Sequence, residues 1–412
     1  MDMKEVFKQI DTYKDFIIKM QTGMTACPSI SPAIEGGVGE YDKSVFIESV
    51  LKGMKFDEIF HIDAKDPKAK NGVRPNIVAK YYGKNKDKNF WLMGHMDVVS
   101  PGDMTLWKTD PWKAVVKGDQ IFGRGCEDNQ QGLISPLLAV KAMMELGVRP
   151  EINFCLLIVS DEELGSDYGI KHVIKNNLKM FRKGDCVVVP DGGNAEGTEI
   201  LVAEKSIYWV KFTVQGKQVH ASVPDTGNNA HRAGAHLITE LDKELHKKFN
   251  KKDKMFSPAV STFEPTKKEA NVASSNIVPG KDVFHLDCRV LPSYKLSDVR
   301  KTMDAAVKKI SKQFKVKVDI EVTQEQTSVP TDVKEPLVVQ TIAALKTVYN
   351  NKPKAIGTGG GTVAAYLRNE GIPSVVYIRW EETVIHAPNE YSRISYTLGD
   401  AKVFACMAMN LK

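Results

Sequence analysis

Apolar residues fall along this chain in two rhythms. Between residues 3 and 22 they recur at Val6, Ile10, Tyr13, Ile17 and Ile18, and this three-to-four spacing predicts an amphipathic opening helix. Beyond it, apolar runs bounded by turn residues alternate with helical stretches. Phe90 to Met93 predicts a strand leading into Gly94-His-Met-Asp97, and Leu133 to Leu146 a helix. Residues 152–159 read as a strand apolar on both faces, Ile170 to Leu178 as a short helix, and Cys186 to Val189 as a strand closing on Pro190-Asp191. Strands buried on both faces belong to parallel sheets, so this alternation argues for such a sheet covered by helices.

The rhythm changes near residue 206. Tyr208-Trp-Val-Lys-Phe-Thr-Val-Gln alternates apolar and polar, as a strand with one wet face should. A helix at 230–247, an extended stretch at 271–291, a helix at 296–313 and a strand at 316–322 follow. From Val338 the earlier pattern resumes, with a helix to Tyr349, the glycine run 357–361, a helix at 363–370, a strand at 374–378 and a last helix near 395–410. The expected fold is α/β. A mostly parallel sheet with helices on both faces would be built from 1–205 and 324–412, with a smaller α+β domain inserted at 206–323.

Length agrees with two domains, since 412 residues exceed one ordinary core. The net charge of +6 comes from scattered lysines. Clusters such as Lys247-Lys248 and Lys251-Lys252 lack interleaved aromatics, which favours solvated surface over a nucleic-acid groove. The six cysteines (27, 126, 155, 186, 288 and 406) form no Cys-x-x-Cys pair, and most sit in apolar runs as small hydrophobes. The charged opening does not read as a signal peptide, and no stretch is apolar enough to span a bilayer. The expectation is a cytoplasmic protein that binds neither nucleic acid nor membrane.

Chemistry concentrates at five places. Glu162 and Glu163 stand side by side where the run 154–159 ends, and like charges so close need a cation or a shared proton. His95 and Asp97 follow another strand, two residues apart and so on one side of the chain. Asp128 lies in the glycine-rich stretch Gly123-Arg-Gly-Cys-Glu-Asp128, Asp191 ends the strand at 186–189, and His386 sits in Val-Ile-His-Ala-Pro-Asn-Glu390. Each has a plainer explanation. A lone histidine is usually a satisfied hydrogen bonder, Asp128 could cap the next helix, and Asp191 could cap a turn. Together, two imidazoles and three carboxylates, with one carboxylate to spare, suit a pair of divalent cations.

Gly94-His-Met-Asp-Val-Val-Ser-Pro-Gly-Asp103, Phe122-Gly-Arg-Gly-Cys-Glu-Asp128, Ser160-Asp-Glu-Glu-Leu-Gly-Ser166, Pro190-Asp191 and His386-Ala-Pro-Asn-Glu390 occur in this order. In that order the chain resembles, nearly end to end, the co-catalytic zinc family of aminoacylases, acetylornithine deacetylases and succinyl-diaminopimelate desuccinylases, with related carboxypeptidases and dipeptidases. The resemblance implies that His95, Asp128 and Asp191 hold one ion and Asp128, Glu163 and His386 the other. Asp97 would orient His95, and Glu162 would serve as general base while a bridging hydroxide attacks an amide. It also implies a cis peptide after Asp128, and a lid whose His220 stabilises the oxyanion. Asn276, Arg289, Gly360 and Thr362 would bind substrate. The implied cofactor is two divalent ions, zinc first, with cobalt or manganese as alternatives.

Two departures touch substrate choice. Many relatives carry lysine and glycine after the bridging aspartate, where this chain has Asn129-Gln130-Gln131-Gly132, and Leu164 separates the glutamate pair from its glycine. The expectation is a dinuclear amidohydrolase, cleaving a dipeptide, short peptide or N-acyl amino acid with a free carboxylate, working as a homodimer through its lid. Succinyl-diaminopimelate desuccinylase or acetylornithine deacetylase is the alternative within the class. A catalytically silent binding protein on the same fold is the alternative outside it, disfavoured because every ligand and base position is filled by a suitable side chain.

Overall fold

The structure, a computed structural model, describes residues 3–412, which divide into two units. The first comprises the described residues up to Val202, with Thr331–Ala355 and Tyr366–Lys412; the second comprises Ala203–Pro330 and Ile356–Ala365. The segment Ile356–Ala365, with the glycine run, therefore groups with the second unit, whereas the sequence pattern assigned it to the first.

The first unit is organised by an eight-stranded sheet. At its centre Asn85–His95 lies parallel to both Ile152–Val159 and Cys186–Val189, and Cys186–Val189 is parallel to Ser374–Val376. The flanks are antiparallel: Glu58–His61 pairs with Ile77–Tyr81, which pairs with Ile152–Val159, and Ser374–Val376 pairs with Glu199–Glu204. The α/β expectation holds, with parallel strands where the apolar runs are longest. Every residue of Ile152–Val159 is buried, as a strand covered on both faces requires. The edge strands were missed because runs such as Glu58–His61 are short and only half buried.

Helix Gly132–Glu145 packs on the two central strands, and Ile394–Asn410 packs against it and against Pro336–Tyr349. The opening helix expected over 3–22 is two helices, Met3–Asp11 and Lys14–Thr25. The break leaves the Thr12 hydroxyl bonded to the Gln9 carbonyl at 2.7 Å, and Tyr13 bonded through its hydroxyl to Glu145. A threonine that bonds its own backbone weakens a helix interior. The periodicity ran through the break because both halves bury their apolar faces.

The second unit is an antiparallel four-stranded sheet in the order Thr262–Lys268, Lys281–Val290, Ser206–Gln215, Lys317–Gln326. Tyr208, Val210, Phe212 and Val214 point into a core, while Trp209 and Gln215 are exposed. Helices Ala230–Lys248 and Leu296–Phe314 close that core with residues at helical spacing, among them Leu237, Leu241, Leu245, Val299, Met303 and Ile310. The stretch 271–291 is extended only over Ile277–Val278 and Lys281–Val290. Among the described residues, no helix is long and apolar enough to cross a membrane.

Candidate metal centre

Three parallel strands deliver the site. His95 is the last residue of its strand and is paired with Val159, so the turn Ser160-Asp-Glu162-Glu163 starts level with it. Cys186–Val189 ends at Pro190-Asp191 on the other side. The carboxyl ends of neighbouring parallel strands form the crevice in which open α/β sheets bind ligands.

Asp128 enters from an irregular buried segment, Cys126–Gln131, ahead of helix Gly132–Glu145. Its Oδ1 lies 3.0 Å from His95 Nε2, and its Oδ2 lies 3.2 Å from His386 Nε2. One carboxylate thus faces two imidazoles with different oxygens, as a carboxylate shared by two cations would. Asp191 Oδ1 is 3.8 Å from His95 Nε2, and Glu163 Oε2 is 3.2 Å from His386 Nε2. Donor atoms gather as His95, Glu162 and Asp191 in one group and Asp128, Glu163 and His386 in another, each within 4.8 Å. All six residues that the sequence singled out as ligands or base are therefore brought together. Glu162 falls in the first group, beside His95 and Asp191.

The supports are equally specific. His95 Nδ1 lies 3.1 Å from the Asp97 carbonyl and 3.4 Å from its Oδ1. The Asp97 carboxylate, fully buried, also accepts the backbone N–H groups of Glu162 and Glu163, each at 3.0 Å. One side chain thereby orients a ring and fixes the glutamate turn. Asn129, which opens the stretch Asn129-Gln130-Gln131-Gly132 where the chain departs from many relatives, donates to the Pro190 carbonyl at 2.6 Å and to Asp191 Oδ1 at 2.9 Å, and its Oδ1 accepts from His95 N at 3.3 Å. Gly94 makes room for this, since a Cβ there would stand 2.7 Å from Asn129 Oδ1. The peptide Asp128–Asn129 is cis, as the resemblance implied.

Behind the turn lies an ion pair that the sequence did not reveal. Arg74 forks onto Glu40, with Nε 2.6 Å from Oε2 and Nη2 bonded to Oε1, and also reaches Asp161 Oδ1 at 3.3 Å. Glu40 Oε1 accepts Asp161 N at 3.2 Å. Asp161 has φ +62°, a conformation uncommon outside glycine, so the turn carrying Glu162 is held by this buried pair. A lone arginine before a proline, in Val73-Arg-Pro-Asn76, was the only trace in the sequence.

The electrostatics test whether cations fit. Burial opposes ionisation of Asp128, yet the His386 and His95 imidazoles hold its carboxyl below the usual carboxylate range. Burial lifts Glu162 well above its ordinary value, and the Asp191, Glu163 and Asp128 charges add to this. Burial takes Glu163 to about 7, against the bond from His386. Hydrogen bonds to Asp128 and Glu163 carry His386 up to about 10. Burial works against a charged His95, but Asp128, Asp191 and Asp97 raise it well above normal. The cluster thus holds protons in a pocket too anionic to be stable bare, and divalent cations would replace them. The donor set of imidazole nitrogens and carboxylate oxygens fits two such ions.

The second unit carries the other residues singled out. His220 is exposed, in the two-residue strand Val219–His220, with Nδ1 2.7 Å from the Ser222 hydroxyl. Asn276 lies beside it, its carbonyl accepting Ala221 N at 2.8 Å. Arg289 forks onto Asp287 at 2.7 and 3.0 Å and reaches the Gly359 carbonyl at 3.4 Å, which brings it to the loop of Gly360 and Thr362. The Thr362 hydroxyl bonds Glu204.

A crevice at parallel strand ends thus brings together two groups of side chains able to hold metal ions. The chain belongs to the Peptidase family M20/M25/M40, whose sequence model matches residues 91–410. This family is metal-dependent with a dinuclear site, and its members are hydrolases acting on peptide or amide bonds. An uncharacterized metallohydrolase of Methanocaldococcus jannaschii is 35% identical over 404 residues, covering 94% of this chain and 97% of that protein. A succinyl-diaminopimelate desuccinylase of Pelagibacter ubique is 28% identical over 288 residues, covering 69% and 73%. The fold matches the crystal structure of a tripeptidase from Staphylococcus aureus with a TM-score of 0.76 at 17% identity, covering 96% of this chain and 98% of that one.

Proposed function

We propose that the protein hydrolyses the amide bond of a small substrate bearing a free carboxylate, with His95, Asp128 and Asp191 holding one divalent ion and Asp128, Glu163 and His386 a second. The observation that carries this is Asp128, whose two oxygens face two imidazoles while a further carboxylate flanks each. Zinc is the first choice of metal, with cobalt or manganese accepted by the same donors. When bound, such ions polarise an amide carbonyl and make water easier to deprotonate.

The chain's own residues do the remainder. Glu162 takes a proton from the attacking water as the C–O bond forms, then hands it to the leaving nitrogen as the C–N bond breaks. Its raised affinity for a proton suits that exchange. Glu163 does not share the task, because its oxygens are turned to His386. Asp97 keeps His95 and both glutamates in place. Arg289, steadied by Asp287, offers a guanidinium to a carboxylate, and His220 a donor to the developing oxyanion.

A dipeptide or short peptide is the preferred substrate, supported by the Glu162-Glu163-Leu164-Gly165 form; an N-succinyl or N-acetyl amino acid is the second reading, supported by the desuccinylase relative. A panel of dipeptides against N-acyl amino acids, with zinc, cobalt or manganese added, separates them. Glu162→Gln tests the division of labour: turnover should fall by about 10²–10⁴ with both ions retained. Loss of an ion instead would make Glu162 a ligand, which its grouping with His95 and Asp191 leaves as the rival role. A homodimer belongs to the same reading, and a monomer at micromolar concentration in light scattering would contradict it.

A further inference from the structure

The motif His386-Ala-Pro-Asn-Glu390 contributes one residue to the chemistry above, yet its last residue is among the most deeply buried charges in the molecule. Glu390 and Arg124 form an ion pair with each side chain 1% exposed. Glu390 Oε1 accepts the backbone N–H of Glu127 at 2.9 Å and of Asp128 at 3.1 Å. Arg124 Nη1 bonds Glu390 Oε2, while its Nη2 donates to the His386 carbonyl at 3.2 Å. The Gly123 N–H donates to the Glu390 carbonyl at 3.0 Å, and the guanidinium lies over the Trp107 ring at 5.3 Å. One buried pair therefore joins the backbone that carries Asp128 to the backbone that carries His386.

His386 needs such a tether. Its side chain is 49% exposed, its loop runs between the turn Glu382–Val384 and the strand Tyr391–Arg393, and its φ is +59°. Among the described residues the ring's hydrogen-bond and ion-pair partners are its fellow ligands Asp128 and Glu163, both through Nε2, and nothing bonds its Nδ1. A ligating imidazole is normally fixed through its other nitrogen, as His95 is by Asp97. At His386 that support is replaced by a hold on the backbone. Asn389 adds a second hold, accepting from Lys108 N at 2.7 Å and donating to the Leu106 carbonyl at 2.9 Å.

We infer that Glu390 and Arg124 are positioning residues that set the spacing of Asp128 and His386, and so govern the grip on the second ion more than the grip on the first. The first ion shares Asp128, but its other ligands, His95 and Asp191, have supports that this pair does not touch: strand pairing, Asp97, and Asn129 bonded to both. This rests on the dinuclear reading and deepens it by making the two ions unequal in what holds them.

The test is a chelator challenge of the zinc-loaded protein, counting zinc per chain at each step. Wild type should carry two ions. In Glu390→Gln one ion should leave at about 10–100-fold weaker chelation, the usual cost of losing a partner that orients a ligand, while the other, which shares only Asp128 with it, shifts clearly less. Arg124→Lys keeps a cation for Glu390 but loses the planar fork that also reaches His386. It should weaken the same ion, and it decides the matter if Glu390→Gln does not fold. Wild-type behaviour of both ions in the variants that fold, or equal weakening of both, would overturn the inference. A wild-type chain holding fewer than two ions would overturn the dinuclear reading itself, and this inference with it.

Discussion

His95 and His386 aim the same ring nitrogen at opposite oxygens of one aspartate, but they are supported in contrasting ways. His95 is 2% exposed, ends a central strand, and is backed by a buried carboxylate. His386 is 49% exposed, sits on a loop, and is held through its carbonyl rather than its ring. The difference shows how a site with two equivalent-looking ligand groups can have one rigid half and one dependent half. A strand end fixes its backbone by sheet pairing and leaves only the ring to be oriented, here by Asp97. A loop must be fixed by side chains brought from elsewhere, here Arg124 and Glu390.

The largest effect is expected where the rigid half is attacked from behind. Asp97→Ala removes the support of His95 and frees the N–H groups of Glu162 and Glu163. Metal affinity should fall by about 10–100-fold, with turnover falling further because the general base also loosens. Zinc content against kcat in one preparation would check this. If only metal affinity moved, the role of Asp97 in fixing the glutamates would be lost.

Arg74→Met attacks the same half one layer deeper. It leaves Glu40 and Asp161 buried without their cation, which should cost about 3–5 kcal/mol of stability in a denaturant titration. Turnover of the folded fraction should also drop, since Asp161 leads directly into Glu162. A variant as stable as wild type would remove the pair from the support of the turn.

Metal uptake sharpens the comparison through protons. With His386 raised to about 10 and Glu163 to about 7, the ion-free cluster at pH 7 still holds protons that bound cations must displace. Calorimetry in buffers of different ionisation enthalpy should show proton release on binding, and apparent affinity should weaken as pH falls. Binding with no proton release would contradict the assignment of these residues as ligands.

The smallest effect concerns Lys43, buried behind the His95 strand with Nζ donating to the Met96 carbonyl at 2.9 Å. Burial lowers its pKa to about 8, below the unfolded value of about 10.4. The folded state thus binds fewer protons between those values, so this group's cost is full below about pH 8 and fades as pH rises towards 10. Lys43→Met should be the more stable protein at pH 7 by up to about 3 kcal/mol, with the gap closing by about pH 10. A gap independent of pH would mean that folding leaves the proton affinity of Lys43 unchanged.

Much of this was legible in the sequence, for reasons visible at particular residues. Apolar runs stop at His95, Glu162 and Asp191, so their strand-end positions could be read directly, and Asp128 and His386 followed from recognisable stretches. The supports could not be read so. Glu40 precedes a helix and Arg74 lies in a two-residue strand, and nothing in their local pattern reveals that they meet. Arg124 and Glu390 lay inside quoted motifs but had no assigned task, because a tether between loops is a property of three-dimensional neighbours. Ile356–Ala365 was placed by its position in the chain order, whereas its packing partners belong to the second unit. The helix break near Thr12 escaped because apolar spacing reports which face is buried, not whether the backbone is continuous.

Crystals soaked with zinc and measured at its absorption edge bear most directly on the shared aspartate. Two anomalous peaks should flank Asp128, one bounded by His95 and Asp191 and the other by Glu163 and His386. A single peak, or two peaks away from the Asp128 carboxylate, would contradict the dinuclear centre.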